Sequence, residues 1–150
     1  CTRLDQLSLL DQDTLARAQT AMRELLLAFD AAIEADVGAL SVARERLCGP
    51  SPTQEALQDL LEHAERVEAQ GNHFAVPLVA AVAGSLNTLI ANVPAPTDLP
   101  LQLVDAHIDA LKALASMPSK RTRDPAGIEL TQILRDRVRT SIQAWQSNAA

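Results

Sequence analysis

The chain has 150 residues, enough for one domain with its own hydrophobic core. It holds two Phe, one Trp, no Tyr and five Gly, and so few aromatic residues and glycines favour helices over strands. The net charge of −6 argues against a nucleic-acid partner, and no apolar run reaches the roughly 18 residues of a membrane-spanning helix. We therefore expect an all-α protein without nucleic-acid binding or membrane insertion.

The longest predicted helix covers residues 13–48. Its apolar residues recur at steps of three or four and form one stripe: Leu15, Ala18, Met22, Leu25, Phe29, Ile33, Val37, Leu40 and Leu47. Asp11, Asp13 or Thr14 can cap its start, and Gly49-Pro50 ends it. Residues 3–10 predict a short preceding turn of helix, and residues 1–12 either belong to the domain or flank it.

Four further helices follow, each bounded by proline, glycine or a capping side chain. The second helix opens at Ser51-Pro52-Thr53 and is interrupted at Gly71-Asn72, and the third helix starts near Pro77. Thr97 or Asp98 caps the fourth helix, which Pro118 ends. The fifth helix starts at Asp124-Pro125. Short connections make consecutive helices antiparallel neighbours. The pattern predicts a bundle of helices in a single domain, residues 1–150.

Charge is distributed unevenly along these helices. Residues 1–110 hold 16 acidic and 6 basic side chains, a net charge of −10, whereas residues 111–150 hold 7 basic and 3 acidic ones, a net charge of +4. Solvated helix faces explain such a pattern, and so does a polar partner surface or a homodimer.

The segment from Ala64 to Leu78 is the most informative motif. It reads Ala-Glu-Arg-Val-Glu-Ala-Gln-Gly-Asn-His-Phe-Ala-Val-Pro-Leu. It resembles the signature of histidine phosphotransfer (Hpt) domains in the variant common in alphaproteobacteria, Ala-His-Asp-x-Lys-Gly-Gln-Gly-x-x-Phe-Gly-x-Pro-Leu. Weaker likenesses in Phe29…Val37, Ala83–Leu86, Val104–Leu111 and Gly127…Leu134 extend the resemblance over about residues 15 to 145. It implies an antiparallel up-and-down four-helix bundle with an additional C-terminal helix.

The chain departs from this signature where the family carries its chemistry. The phosphoryl-accepting histidine falls on Glu65, the family lysine on Glu68 and the first family glycine on Ala69. An Hpt domain needs an exposed imidazole, and its lysine lies one turn away, where it balances the phosphoryl charge. Two like charges at about 4 Å cost up to about 4 kcal/mol near a protein surface, so a row of carboxylates would repel the acidic pocket of a receiver domain. We therefore expect no phosphotransfer through residue 65 and no catalytic residue.

The resemblance makes the acidic surface a candidate interaction face. Its members stand mostly at three-residue spacing: Asp59, Glu62, Glu65, Glu68 and Gln70. The expected partner is the receiver domain of a response regulator or a histidine kinase. The chain would then be a degenerate Hpt-like binding module.

Other side chains offer little further chemistry. His63 points about 200° round the helix from Glu65, His73 lies at a helix break, and His107 matches a histidine that is common in a later family helix. Ser85 could meet His107 across two helices, but no third catalytic member is evident. Asp105 and Asp109 could share a cation, although two solvated carboxylates are the expected state. We expect no enzyme activity, no metal and no cofactor.

Two alternatives stay open. The chain could be a helical sensory or scaffold domain that binds a small ligand or dimerises, or a phosphotransferase that uses a displaced histidine. The expected location is the cytoplasm; a lipoprotein with an acylated Cys1 would instead be periplasmic.

Overall fold

The computed structural model describes residues 2–49, 52–116 and 125–149. These residues form five α-helices and two short 3-10 turns, at Arg46–Cys48 and Pro96–Asp98, with no strand among them. The α-helices are α1 (Thr2–Glu45), α2 (Gln54–His73), α3 (Pro77–Asn92), α4 (Leu101–Ser116) and α5 (Pro125–Ala149). The all-α prediction is confirmed.

The first helix differs most from its prediction. α1 runs from Thr2 without a break, so the predicted separate turn at residues 3–10 and the predicted start near residue 13 are wrong. The first glycine after residue 2 is Gly38, and no proline precedes it, so nothing forces an interruption. Asp13 forms an ion pair with Arg17 at 2.7 Å on the exposed helix surface rather than capping a helix.

The other helix ends agree only in part with the sequence prediction. The Thr53 hydroxyl accepts a 3.1 Å hydrogen bond from the Ala56 amide, as predicted for the start of α2. α2 then continues through the predicted interruption to His73. Thr97 and Asp98, the predicted caps of α4, lie in a 3-10 turn instead, and α4 starts at Leu101. The predicted boundaries at residues 51, 118 and 124 lie outside the described residues.

The helices pack around one core. α1 packs against α2 and α4, α3 packs against α2 and α4, and α5 lies against α3 and α4. The largest fully buried side chains come from α1 to α4: Phe29, Ile33, Leu40, Leu60, Leu86, Leu89 and Leu111. This core fixes the relative positions of the helices and therefore of the surface that they present.

The N-terminal half of α1 extends beyond this core. A helix of 44 residues is about 66 Å long, whereas α2 has 20 residues and α4 has 16. Phe29 is the first buried residue of α1 in the described structure, and every described side chain between Asp11 and Ala28 is exposed. The predicted apolar stripe exists, but its part from Leu15 to Leu25 contacts no core. We call residues 2–28 the α1 overhang.

None of the described helices has both the length and the apolar character that a bilayer crossing requires.

Candidate functional site

The junction between α2 and α3 is built on a close backbone contact. A Cβ atom on Gly71 would lie 2.6 Å from the backbone nitrogen of Ala80, so only glycine fits there without a shift of the helices. The Val76 amide donates a 2.7 Å hydrogen bond to the Gly71 carbonyl and closes the turn. Ala75 has a positive φ of 55°, a value that residues other than glycine rarely adopt. Pro77 then occupies the first turn of α3, where its missing N–H costs nothing.

Two aromatic rings attach this junction to α1. The ring centroids of Phe29 and Phe74 lie 5.2 Å apart in an edge-to-face arrangement. His73 packs edge-on against Phe74 as well, at 4.8 Å, and is exposed. α1 therefore contacts α2 at the end of α2 that leads into α3.

Glu65 lies in the middle of α2 and is exposed. It makes no hydrogen bond or ion pair with any described residue. Its exposed neighbours on α2 include Glu62, Arg66 and Ala69. The carboxylate is thus open to solvent and to a partner.

The predicted acidic face is not one face in the structure. Each three-residue step turns about 60° round a helix, so Asp59 and Glu68 point to opposite sides of α2. Asp59 binds Arg46 at 2.9 Å, and the half-buried Glu68 accepts a hydrogen bond from Asn87 on α3. Glu62 and Glu65 are the two carboxylates of the row that remain exposed.

Gln70 stands apart from these carboxylates. It is half-buried and lines a depression with Ala32, His73 and Phe74. The structure therefore brings together only part of the five-residue face that the sequence predicts.

An open groove of about 650 Å³ lies between α3 and α5, and it was not predicted from the sequence. Ala81 and Gly84 of α3 and Val138 and Ile142 of α5 supply apolar lining, and Glu68 of α2 also lines it. The groove joins segments that are far apart in sequence. Its only signal in the sequence is the excess of basic residues in the C-terminal part of the chain.

Arg135 and Arg139 give the groove its positive charge. They stand four residues apart and therefore share one side of α5. Arg139 lies 3.6 Å from Asp136, but both are exposed, and such a pair contributes little. Arg135 forms no ion pair with a described residue. Both guanidinium groups are available to an anionic group in the groove.

Ser85 and His107 do meet, as the sequence analysis considered. The Leu103 carbonyl can only accept, so Nδ1 of His107 donates to it at 2.7 Å. Nε2 therefore accepts the Ser85 hydroxyl hydrogen across 2.9 Å. Burial lowers the pKa of His107, which is 0% exposed. This hydrogen bond connects α3 to α4, and Ser85 also lines the groove between α3 and α5.

Asp105 and Asp109 are the two carboxylates predicted to be able to share a cation. Asp105 is held by Arg44 through two hydrogen bonds of 2.6 and 2.9 Å, and its side chain remains 46% exposed, so it is a solvent-accessible carboxylate in an ion pair. This pairing raises the pKa of Arg44. Within the described ranges, no three His, Cys, Asp or Glu side chains cluster to hold a metal ion.

Comparisons of the chain with protein-family models, with curated proteins and with solved structures found no match.

Proposed function

We propose that this chain is a non-catalytic, Hpt-like module of two-component signalling. It docks onto the receiver domain of a response regulator, or onto a histidine kinase, and carries no phosphoryl group. The observation that carries the proposal is the exposed, unpaired carboxylate of Glu65, at the position where the Hpt signature has its phosphoryl-accepting histidine.

The α2–α3 junction supports the scaffold part of the proposal. The Hpt signature has glycine at the positions of residues 71 and 75. Gly71 has no room for a Cβ atom, and Ala75 has the positive φ that glycine adopts most readily. Both positions therefore keep a backbone environment suited to the family's glycines.

The order of helix contacts also fits a four-helix bundle with a fifth helix. Each of α1 to α4 packs against two others in a closed sequence, α1–α2–α3–α4–α1, and α5 covers α3 and α4. α2 runs antiparallel to α3, because Gly71 meets Ala80 while Glu68 meets Asn87.

The burial and positions of the three histidines support the proposal that the chain carries no phosphoryl group. His107 is buried, and Nδ1 of the half-buried His63 is also buried. His73 is exposed, but it lies eight residues from Glu65, about 12 Å along the helix. The family lysine is replaced by Glu68, which is engaged by Asn87.

The charges around the groove suggest how an acidic partner still binds, although carboxylates stand in place of the family's histidine and lysine. Glu62 and Glu65 would repel the acidic phosphorylation pocket of a receiver domain. Arg135 and Arg139 line the groove into which Glu68, one turn from Glu65, also faces. These arginines can offset the repulsion and orient an acidic partner.

The test measures binding and phosphoryl transfer separately. Wild-type protein is incubated with radiolabelled, phosphorylated receiver domains and with histidine kinases from the same organism, and affinity is measured by calorimetry. We expect binding to at least one of them without transfer of label. Glu65→Lys should strengthen binding to a receiver domain at least threefold, because it replaces a repelling carboxylate with a positive charge, whereas Glu24→Lys, on the exposed α1 overhang, should leave the affinity unchanged.

Two results would overturn the proposal. Label on any histidine of the wild-type protein would show retained phosphotransfer, and His63→Gln, His73→Gln and His107→Gln would locate it. Failure to bind every receiver domain and kinase would remove the docking function.

The groove favours a second candidate, a sensory domain that binds a small organic acid. A volume of about 650 Å³ lies within the range of small-molecule sites, about 300–1,000 Å³, and the lining combines two arginines with apolar side chains. A thermal-shift screen of carboxylic acids tests it. A hit should be lost in Arg135→Met and kept in Arg137→Met, since Arg137 does not line the groove; equal loss in both would reject the site.

A further inference from the structure

Glu68 places a carboxylate in the groove between α3 and α5. The side chain is half-buried, and its carboxylate lies 3.5 Å from the position that a Cβ atom of Gly84 would take, so it reaches the groove where α3 carries no side chain. One carboxylate oxygen, Oε2, accepts a hydrogen bond from Asn87. The other oxygen, Oε1, has no partner among the described residues and can accept a hydrogen bond from a ligand.

The two arginines of the groove do not neutralise this carboxylate directly. Glu68 forms no ion pair with Arg135, Arg139 or any other residue that the structure describes. All three side chains nevertheless line the same open groove. Opposite charges that share a groove without touching leave a place for a ligand that bears both charges.

A ligand with a single charge would match only one side of the groove. Arg135 and Arg139 would attract a simple carboxylate, but Glu68 would repel it. A simple amine would meet the reverse pattern. An α-amino acid carries its carboxylate and its ammonium group on the same carbon, and both are charged at neutral pH. It can therefore bind the arginines and Glu68 at the same time.

The remaining lining suits an aliphatic side chain on that amino acid. Ala80, Ala81, Val138 and Ile142 supply apolar surface beside the charged groups. Among the described residues of the lining, Glu68 and the two arginines are the charged ones, so no further charge is left for an ionic side chain of the ligand. Burial of aliphatic carbon against this surface favours binding.

We infer that the groove binds a zwitterionic amino acid with an aliphatic side chain, such as leucine. Arg135 and Arg139 bind the ligand's carboxylate, Glu68 accepts hydrogen bonds from its ammonium group, and the apolar lining contacts its side chain. This inference rests on the second candidate function proposed above, a sensory domain for a small organic acid, and narrows its ligand class. It does not depend on docking to a receiver domain.

Calorimetry on the wild-type protein tests the need for both charges, with three ligands that share an isobutyl group. Leucine carries both charges, 4-methylpentanoate lacks the ammonium group, and 3-methylbutylamine lacks the carboxylate. We expect leucine to bind at least about tenfold more tightly than either of the others, the difference made by one charge-assisted hydrogen bond. This comparison does not depend on the folding of any variant.

Glu68→Gln tests the carboxylate in the groove. Glutamine keeps an oxygen that can accept the hydrogen bond of Asn87, so the packing of α2 on α3 is preserved. The affinity for leucine should fall at least about tenfold, whereas the affinity for 4-methylpentanoate should not fall, because the repelling charge is gone. Glu62→Gln is the matched control, since Glu62 is an exposed carboxylate of α2 that does not line the groove, and it should leave both affinities unchanged.

The possible failures can be told apart. Equal affinity of the wild-type protein for leucine and 4-methylpentanoate would overturn the inference and leave the organic-acid candidate standing. No heat of binding with either ligand at millimolar concentration would overturn both. An equal loss of leucine affinity in Glu68→Gln and Glu62→Gln would overturn the role of Glu68 and with it the inference. Docking to a receiver domain is measured with the phosphorylated receiver domains and is decided by none of these results.

Discussion

The backbone nitrogen of Ala80 lies so close to Gly71 that a Cβ atom on residue 71 would come within 2.6 Å of it. Because the opposing atoms belong to the backbone, a rotamer change cannot relieve the clash. The contact therefore sets the distance between α2 and α3 at the end where the two helices are joined.

Replacing this glycine should destabilise the protein. We expect Gly71→Ala to lower the free energy of unfolding by about 1–3 kcal/mol, since α2 and α3 must separate. Gly38→Ala is the control, because nothing lies within 4 Å of a Cβ atom there and alanine suits a helix interior better by about 0.5–1 kcal/mol. Urea unfolding measures both; an unchanged midpoint for Gly71→Ala would mean that the helices do not approach so closely.

Ala75 should accept glycine with a gain in stability. Its φ of 55° strains an L-residue by about 1–2 kcal/mol, so Ala75→Gly should stabilise the fold by about 1 kcal/mol after the entropy of glycine in the unfolded chain is counted. Ala69→Gly places a glycine where the Hpt signature also has one, but residue 69 is helical and exposed, so this change should cost about 1 kcal/mol. If Ala75→Gly and Ala69→Gly changed the melting temperature equally, the positive φ assigned to Ala75 would be wrong.

His107 should make stability depend on pH. Burial lowers its folded-state pKa below the unfolded value of about 6.5, so the unfolded chain binds the proton more readily. The contribution of His107 is fully present above about pH 6.5 and is lost as the pH falls towards the folded pKa, with a slope of up to about 1.36 kcal/mol per pH unit.

Chemical denaturation at pH 7.5 and 5.5 measures this slope. His107→Leu should lose its share of the pH dependence, although the absolute stability falls because Ser85 loses its acceptor. An identical slope in His107→Leu would show that another group is responsible.

Local signals in the sequence predicted much of the fold. Thr53 and Pro77 mark helix starts through capping and a fixed φ, which depend on neighbouring residues alone. The meeting of Ser85 and His107 could also be considered from sequence, because both lie on buried stripes of neighbouring helices.

Longer-range features could not be predicted in this way. A stripe shows which side of α1 is apolar but not whether another helix reaches it, so the exposure of Leu15 came only from the structure. The groove of Arg135 and the pairing of Arg44 with Asp105, 61 residues away, depend on tertiary packing. The carboxylates on α2 looked like one face because their spacing of three is close to, but not equal to, the 3.6-residue turn.

The three-residue link between α2 and α3, residues 74–76, also bears on the order in which the chain folds. Closing so short a loop loses little chain entropy, whereas the Arg44–Asp105 contact must close 61 residues. α2 and α3 should therefore pair before α4 joins α1. Gly71→Ala should then slow refolding, whereas Asp105→Asn should mainly accelerate unfolding, and stopped-flow kinetics that reversed this assignment would place the folding nucleus elsewhere.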